Sequence, residues 1–264
     1  MKEKLTKNNQ SVGKIFKIIE VMASNNGPMR LQDISKQSGF PSSTVLRLLT
    51  SLTELGYAYQ NNETSKYFLS LKFSKIGDDI LSQFNIRELI YPYLVSLSEE
   101  FEESVFLGVE QEMQLVYADS VIRTNKKTHT LERIGKSAPL HSAGIGKLLL
   151  LNYNDNQLAK LISEKGLKRF TDKTICDLEQ LKQALTSIKE KGYSIDDEEC
   201  EVGIRCVAAP VYDYSGTIIA GISISGTTST ICGDKMNSII ESITTTAEII
   251  SSKLGYGKES YSVN

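Results

Sequence analysis

The chain contains 264 residues, of which 40% are hydrophobic and 23% are charged, a composition typical of globular proteins with room for two ordinary domains. Residues 1–10 lack the apolar segment of a signal peptide, and no stretch approaches the roughly 18 apolar residues that a membrane span requires. The composition therefore argues against a secreted or membrane protein, and we expect a cytoplasmic location without contact with a membrane.

The charge is distributed unevenly along the chain, although the formal net charge is only −2. Residues 1–77 hold 11 Lys and Arg against 5 Asp and Glu, whereas the remainder holds 19 against 27. A basic N-terminal part joined to an acidic body is typical of proteins in which one part contacts phosphate groups and the other does not. A general bias of solvated surface charge is the alternative explanation.

The cysteines and histidines do not have the spacing of a zinc site. Two histidines, His129 and His141, are present, and no Cys-x-x-Cys pair occurs among the four cysteines, which are Cys176, Cys200, Cys206 and Cys232. We expect reduced thiols, no metal and no cofactor.

In chain order, the first predicted element is an amphipathic helix over residues 11–24, with Ile15, Ile18, Ile19 and Met22 on one face. A second helix is predicted from Leu31 to Ser38. The turn 39–41, Gly-Phe-Pro, ends it because glycine accepts a left-handed backbone and proline cannot continue the helix before it. A third helix then begins near Ser42, and the pair forms a helix-turn-helix pattern.

The third helix has two contrasting faces. Its apolar residues recur at helical spacing and predict a buried stripe formed by Val45, Leu48, Leu49, Leu52 and Leu55. The opposite face is polar, carries one guanidinium group, and suits a helix that enters the DNA major groove. The residues predicted to contact DNA from this helix are Ser42, Ser43, Thr44, Arg47 and Thr50. Paired amphipathic helices also occur in proteins that never contact DNA, and this alternative stays open.

A β-hairpin is predicted directly after the third helix, with Gly56 as the helix C-cap. Apolar residues alternate across the polar turn 61–65, at Tyr57, Tyr59, Tyr67 and Leu69. Three helices and a hairpin make a winged helix-turn-helix, and Lys66 on the wing is a further predicted DNA contact.

The rest of the chain predicts helices covering an antiparallel sheet, an α+β domain. Helices are predicted over Lys72–Phe84, Ile86–Phe101, His141–Leu151, Leu178–Lys191 and Asp234–Leu254. Strands are predicted over Ser104–Glu110, Gln114–Ser120, Thr128–Ile134, Val207–Tyr212 and Thr217–Ser225. The last two strands pair across the turn 213–216, Asp-Tyr-Ser-Gly.

Three motifs in this order resemble the IclR family of bacterial transcription regulators, and the resemblance covers nearly the whole chain. They are the helix-turn-helix with its wing, residues 138–147 (Ala-Pro-Leu-His-Ser-Ala-Gly-Ile-Gly-Lys), and residues 192–213 from Gly192 to Asp213. Two departures stand out. Arg30 occupies a helix N-cap where Ser or Thr is usual, and residues 64–66, Thr-Ser-Lys, occupy a wing turn where glycine is usual.

The resemblance implies a transcriptional regulator, most often a repressor, that binds a pseudo-palindromic DNA operator as a homodimer or homotetramer at the bacterial nucleoid. It implies a winged helix-turn-helix over residues 1–71, a linker helix over 72–85, and a GAF-like effector-binding domain over 86–264. The effector of such a domain is a small metabolite, commonly an organic acid.

The residues implied to bind the effector are Leu140, Gly144, Ile145, Asp196, Cys206, Ser223 and Ser225. Their chemistry agrees with an acid, because Gly144 and Ile145 begin a predicted helix whose free N–H groups favour an anion. Ser223 and Ser225 lie on one face of a strand, with Cys206 on the strand opposite. Asp196 would repel a carboxylate, so we assign it to a ligand hydroxyl or a water, which favours a hydroxylated acid such as a sugar acid.

Two other functions remain open from the sequence. Ser223, His141 and Asp196 are residue types that form a hydrolase triad, but no Gly-x-Ser-x-Gly motif is present, so we expect no catalysis. An architectural DNA-binding protein whose C-terminal domain only dimerises is the second alternative. Saturable metabolite binding would distinguish a regulator from it, and turnover of that metabolite would indicate an enzyme.

Overall fold

The computed structural model describes residues 10–25, 27–83, 85–123 and 135–257. The chain divides into two compact units, Met1–Phe84 and Asn85–Asn264. The division falls inside the predicted linker segment 72–85. Within the part of the chain that the structure describes, no helix is both long and apolar enough to cross a bilayer.

The N-terminal unit begins with three helices, α1 (Gln10–Ser24), α2 (Leu31–Ser38) and α3 (Ser42–Glu54). They surround a small core to which α1 contributes Ile18 and Met22, as predicted. From α3, the core takes Val45, Leu48, Leu49 and Leu52. The predicted helices and the turn between them are therefore confirmed.

The helix ends follow from local backbone chemistry. Gly39 adopts a left-handed conformation, with φ of 75°, and its N–H donates to the carbonyl of Ser35, which ends α2. The side chain of Arg30 makes no capping hydrogen bond at the start of α2, where Asp33 lies in the first turn and favours the positive end of the helix dipole.

The predicted buried stripe of α3 is wrong at one position, because Leu55 is 62% exposed. The α-helix ends at Glu54, and Gly56 turns the backbone away with φ of 77°. Leu55 is the C-cap of α3 and still donates its N–H to the Ser51 carbonyl, but its side chain lies outside the core cluster that buries the four preceding apolar residues.

The predicted hairpin is confirmed by β1 (Ala58–Gln60) and β2 (Tyr67–Leu69), in which Tyr59 pairs with Phe68. Ser65 has φ of 56° in the turn, so a serine takes the left-handed position for which glycine is usual. The unit ends with α4 (Lys72–Gln83).

The C-terminal unit contains a sheet of six antiparallel strands in the order β5-β4-β3-β8-β7-β6. The strands are β3 (Ser104–Gln111), β4 (Gln114–Val121), β5 (Ser137–Ala138), β6 (Ser194–Asp197), β7 (Ile204–Tyr212) and β8 (Ile218–Thr227). The predicted antiparallel α+β architecture is therefore confirmed.

Helices cover both faces of this sheet. Two of them, α5 (Ile86–Phe101) and α9 (Gly233–Lys253), pack on one face with alternate residues of the central strands, such as Val105, Ile222 and Ile224. The other face packs against α6 (Gly144–Leu149) and α8 (Leu178–Lys191). Because successive strand residues point to opposite faces, Ser223 and Ser225 point toward α6.

Several predicted boundaries in this unit needed correction. The helix predicted over His141–Leu151 begins only at Gly144, because residues 141–143 form a turn, and a short 3-10 turn over Leu150–Asn152 follows it. The sequence analysis missed β5, β6 and helix α7 (Asp155–Lys165). The predicted strand Thr128–Ile134 lies outside the described residues.

Candidate functional site

The exposed face of α3 gathers most of the residues that were predicted to contact DNA. Ser42, Ser43, Arg47 and Thr50 are exposed, whereas Thr44 is half-buried at the edge of this face. The buried residues of α3 lie on the opposite side of the helix. The face is thus presented by a helix that its own core holds in place.

The polar side chains of this face differ in how far they are engaged within the protein. The hydroxyl of Ser42 donates to the Ser35 hydroxyl over 3.2 Å, and that of Thr50 donates to the Leu46 carbonyl over 3.0 Å. Within the described residues, the side chains of Ser43 and Arg47 make no hydrogen bond or ion pair. Arg47 therefore offers an unpaired guanidinium group to a partner.

Leu46, which was not among the predicted DNA contacts, is 45% exposed on α3. The helical period that assigns Val45 and Leu49 to the core places Leu46 outside it. Counting that period along α3 would have revealed an apolar side chain beside Arg47.

The wing carries aromatic as well as basic groups. The rings of Tyr59 and Phe68 stack with centroids 4.9 Å apart, and Tyr59 is 50% exposed. Lys66, the DNA contact predicted on the wing, is half-buried and directly precedes β2. The wing thus presents an aromatic pair and an ammonium group.

Four of the predicted effector residues lie on strands of the C-terminal sheet. Ser225 pairs with Cys206, and Cys206 pairs with Asp196 on the next strand. Ser223 lies one step along β8, between Ala208 and Phe106 of the neighbouring strands. The sheet therefore brings together the four predicted strand residues, which are Asp196, Cys206, Ser223 and Ser225.

Helix α6 lies close above this sheet face because small residues meet there. A Cβ atom added at Gly221 would lie 2.7 Å from the Ile145 side chain, and one added at Gly144 would lie 3.3 Å from the Ala208 Cβ. Gly144 also accepts a hydrogen bond at its carbonyl from Ser194, over 2.5 Å. The amino end of α6 is thereby held beside Ala208 and Ser223.

The strand hydroxyl and thiol groups differ in their engagement. The Cys206 thiol donates to the Ser225 hydroxyl over 3.1 Å. Ser223 is buried, and its hydroxyl makes no hydrogen bond with any residue that the structure describes. Leu140 and Ile145, two further residues predicted to contact the effector, are buried in the apolar core between α6 and the sheet.

A cavity of about 220 Å³ is lined in part by the turn before α6 and by the loop after β6, and none of the seven predicted effector residues lines it. Its lining includes five residues that the sequence analysis did not assign, namely Tyr117, Lys136, Ser142, Phe170 and Cys200. They come from distant segments that meet only in the fold, so neither spacing nor periodicity identifies them. Ser137, Ala138 and Pro139, from the motif preceding α6, complete the lining.

Asp196 organises the loop between β6 and β7. Its carboxylate accepts hydrogen bonds from the backbone N–H groups of Glu199, at 2.7 Å, and Cys200, at 3.3 Å. Burial raises the pKa of Asp196 above its ordinary value, and these backbone donors oppose the rise. Cys200, whose thiol pKa burial also raises, donates to the Ser142 hydroxyl over 3.3 Å, which joins this loop to the turn before α6.

A buried ion pair links α6 to the same loop. The Lys147 ammonium group contacts the Glu199 carboxylate and also donates to the Ile195 carbonyl over 2.8 Å. Burial raises the pKa of Glu199, whereas the nearby Lys147 charge lowers it. The second carboxylate oxygen of Glu199 is buried without a hydrogen-bond partner in the described part of the chain.

Two of the three residues considered for a hydrolase triad, His141 and Asp196, make structural contacts, whereas the Ser223 hydroxyl makes no hydrogen bond with any described residue. A ring nitrogen of His141 lies 3.0 Å from the Lys168 carbonyl, and burial lowers the pKa of His141. Asp196 binds the backbone of its own loop, as described above. In the described ranges, no cluster of three or more His, Cys, Asp or Glu residues has a metal-binding arrangement.

A larger groove of about 590 Å³ lies on the other side of the sheet, along α9. Its lining includes Tyr212 and Tyr256, whose rings stack with centroids 4.7 Å apart. None of the predicted effector residues lines this groove either. Because the groove is larger than the cavity described above, it is a competing location in any test of ligand binding.

Family models match both units of the chain. The model described as "IclR helix-turn-helix domain" matches residues 11–62, and "Bacterial transcriptional regulator IclR C-terminal" matches residues 78–252. The two matches follow the order of the two units and cover nearly all of the described residues.

Individual relatives extend over most of the chain. The Transcriptional repressor IclR of Escherichia coli (strain K12) is 33% identical over 232 residues, which cover 86% of this chain and 83% of that protein. The HTH-type transcriptional regulator KdgR of the same organism is 32% identical over 246 residues, 93% of each chain. The crystal structure of the Agobacterium tumefaciens repressor BlcR superposes with a TM-score of 0.72 at 26% identity, covering 96% of this chain and all of that one.

Proposed function

The chain belongs to the IclR family of bacterial transcriptional regulators, and we propose that it is a repressor whose binding to a pseudo-palindromic operator is controlled by a small organic acid. The observation that carries the proposal is the pairing of an exposed, polar α3 face with a second unit that contains a separate small cavity. Such a regulator acts at the nucleoid, in the cytoplasm. Two of the relatives described above are themselves named repressors.

The chemistry of the cavity supports an anionic, hydroxylated ligand. Among the described residues that line the cavity, Lys136 is the one with a cationic side chain. Lys136 forms no ion pair with any described residue. Ser137 and Ser142 add hydroxyl groups to the cavity. Ser223 does not line it, and its buried hydroxyl, which has no hydrogen bond with any described residue, lies on the sheet face toward α6. A volume of about 220 Å³ suits a compact acid, and a sugar acid has both groups that this lining can recognise.

The acid is to be identified by a thermal-shift screen of the whole protein against central and sugar-acid metabolites. A ligand that binds only the folded protein raises its apparent stability by an amount that grows with ligand concentration. A set of acids tested beside their neutral amides separates recognition of the carboxylate from non-specific stabilisation. Stabilisation by the amides equal to that by the acids would contradict an anion site.

The switch that we propose starts at residues 137–147, which the ligand orders, and ends at the helical connection 72–101. The first turn of α5 supports this route, because Arg87 donates to Asp119 over 2.6 Å, and Asp119 lies two residues from the cavity residue Tyr117 on β4. A shift of this connection would change the spacing of two recognition helices in a dimer. Both half-sites must be engaged together, so the spacing controls the affinity for DNA.

We expect the double variant Ser223→Ala/Ser225→Ala to lose most of its ligand response and to keep its ligand-free affinity for the operator. The two hydroxyls lie on the sheet face where we place the ligand, far along the chain from α3. A ligand changes DNA affinity only through its preference between two conformations, typically about 1–3 kcal/mol of coupling. The measurements are operator affinity without ligand and the ligand concentration that gives half of the maximal change.

Ser251→Ala is the matched control, since it removes a buried serine hydroxyl that lines the larger groove along α9. The proposal predicts a normal ligand response for this control. A wild-type response of the double variant, or loss of the response in Ser251→Ala alone, would place the ligand elsewhere. Loss of ligand-free operator binding in the double variant would show that the serines are structural.

A symmetric operator requires at least a dimer. The apolar residues within 15–22 and 76–84 are candidates for the contact, unless they serve the core of their own subunit. Ile18 and Met22 serve the core of their own unit, which removes part of the first candidate segment. The structure instead leaves Val12, Phe16 and Ile80 exposed by 49%, 58% and 57%, respectively. We therefore propose that Val12, Phe16 and Ile80 contribute to the dimer contact.

We expect the wild-type chain to be a dimer or tetramer at micromolar concentration and Phe16→Ser/Ile80→Ser to dissociate at least tenfold more readily. Each large apolar side chain contributes roughly 1.5–3 kcal/mol when it becomes fully buried. Light scattering over a dilution series measures the change. A wild-type monomer, with or without operator DNA, would rule out the proposed mode of binding.

An architectural DNA-binding protein with a purely dimerising C-terminal unit is the second function to be tested. The same thermal-shift screen separates the two functions, because only the regulator has a saturable small-molecule site whose occupancy changes operator affinity. We propose no enzymatic activity for this chain.

A further inference from the structure

Leu46 is an apolar side chain within an otherwise polar surface. It is 45% exposed on α3, next to Arg47 and one helical turn from Ser43 and Thr50. A single exposed leucine is common on protein surfaces and needs no explanation by itself. Its position on the face proposed to enter the major groove raises the question of which DNA group it would meet.

Thr50 adds a second apolar group to the same place. Its hydroxyl donates to the Leu46 carbonyl over 3.0 Å, so the hydroxyl is engaged with the backbone of its own helix. The methyl group is then the part of the side chain left to face outward. Residues four apart lie one above the other on a helix, so the Leu46 side chain and the Thr50 methyl form one continuous apolar strip.

We propose that Leu46 and Thr50 together read the 5-methyl group of a thymine in each operator half-site. In the major groove, the thymine methyl is the apolar feature by which a base pair is recognised, and aliphatic groups and threonine methyls are its usual partners. The proposal rests on the proposed function, since it presumes that α3 enters the major groove. It gives Thr50, which was predicted only as a DNA contact, the specific role of a methyl contact.

The neighbouring side chain sets the direction in which this thymine lies. Arg47 is the side chain of this face that can bind guanine through two hydrogen bonds, and it directly follows Leu46 in the chain. The apolar strip and the guanidinium group lie side by side on the helix. We therefore expect the thymine to lie within one or two base pairs of the guanine that Arg47 contacts.

The test uses the full chain and an operator selected from a random pool of DNA duplexes. Each thymine of one half-site is replaced in turn by deoxyuridine, which removes only the methyl group and preserves base pairing. We expect one replacement to weaken wild-type binding about fourfold, the factor that corresponds to burying one methyl group. The other replacements should leave affinity unchanged.

Two variants assign this methyl group to the strip. Leu46→Ala should bind the thymine operator several-fold more weakly and be insensitive to the deoxyuridine replacement, because the contact is already lost. Thr50→Ser keeps the hydrogen bond to the Leu46 carbonyl and lacks only the methyl group, so it should lose part of the same sensitivity. Leu55→Ala removes a leucine that is 62% exposed outside this face and should behave as wild type.

The outcomes separate this inference from the proposed function. Failure to select any sequence would contradict sequence-specific DNA binding itself. A selected operator with no thymine in its half-sites, or deoxyuridine sensitivity that Leu46→Ala retains in full, would overturn the methyl contact and leave the regulator intact. Sensitivity abolished by Leu46→Ala and reduced by Thr50→Ser would establish the contact.

Discussion

Replacing Lys147 with methionine is expected to lower the free energy of unfolding by about 3–5 kcal/mol, the largest loss of stability that we predict for a single substitution in this chain. The Lys147 ammonium group is 3% exposed and contacts the Glu199 carboxylate, which is 10% exposed. Removing the cation leaves a buried carboxylate whose charge nothing nearby offsets. Equilibrium unfolding in urea measures the change.

The loss should depend on pH in a defined direction. Burial already raises the pKa of Glu199, and Lys147 opposes that rise, so Lys147→Met moves the pKa of Glu199 further upward. A carboxyl group whose pKa is higher in the folded than in the unfolded protein destabilises the fold increasingly as pH rises between those two values. The charge-dependent part of the deficit of Lys147→Met should therefore shrink as pH falls from neutral and be lost near pH 4.5, the ordinary value for glutamate.

Two controls identify the buried charge as the cause. Lys160→Met removes the lysine of an exposed ion pair with Glu164, whose partners are 59% and 50% exposed, and should cost less than about 1 kcal/mol. Lys147→Met/Glu199→Met removes both buried charges and should recover most of the lost stability. A double variant as unstable as Lys147→Met would show that the packing of the lysine, or its hydrogen bond to Ile195, carries the effect.

This ion pair also explains how the walls of the cavity are held together. Lys147 lies on α6, and Glu199 lies on the loop that Asp196 organises and from which Cys200 reaches the cavity. The bond from Cys200 to Ser142 joins the same two segments at a second point. A ligand that enters between the turn before α6 and this loop would therefore meet two walls that are tied to each other at two points, which favours selection among small acids by shape.

Local pattern was sufficient to predict much of the fold. Helix α2 follows from its apolar spacing and Gly39, and helix α8 from the regular recurrence of Leu181, Leu185 and Ile188. The predicted strand pair across the turn 213–216 corresponds to β7 and β8. In each of these cases, the residues that decide the structure lie within a few positions of one another.

Prediction failed where distant contacts decide. Strand β6 is short and too polar to be recognised alone, and its strand conformation depends on pairing with β7. Leu55 matches the apolar period, but it is the C-cap of α3 and its side chain lies outside the core cluster of its unit. Residues 141–143 form a turn although the sequence predicts helix there, because none of them marks the start of the helix at Gly144 in a single sequence.

The candidate site shows the same division. The shared face of Ser223 and Ser225 follows from strand geometry, and the face of Arg47 follows from helical geometry. The ion pair between Lys147 and Glu199 could not be predicted in this way, because 52 residues separate the two partners and a single sequence gives no sign that they meet. The hydrogen bond from the Thr50 hydroxyl to the Leu46 carbonyl is likewise visible only in the folded structure.

Arg47→Ala is expected to weaken binding to the selected operator by about 1–3 kcal/mol, roughly 5- to 150-fold, with the loss concentrated at one base pair of each half-site. Arg47 is exposed on α3 and makes no ion pair with any described residue, so it is free to form two hydrogen bonds with a guanine. Affinity is measured for operators carrying every single-base substitution. Arg47→Ala should no longer discriminate at the guanine that it contacts, and should discriminate normally elsewhere.

Lys75→Ala is the matched control, because it removes one positive charge from an exposed position on α4, in the same unit but outside the helix-turn-helix. A change in long-range attraction alone would weaken binding similarly in both variants and equally for all sequences, with a smaller dependence on salt. Arg47→Lys separates the two effects further, since lysine keeps the charge but lacks the planar pair of donors that guanine recognition requires. If Arg47→Ala binds every operator as wild type does across a salt titration, the guanidinium group contacts neither base nor phosphate. If Arg47→Lys restores affinity without restoring discrimination, the guanidinium geometry reads the base and its charge supplies the remainder of the binding.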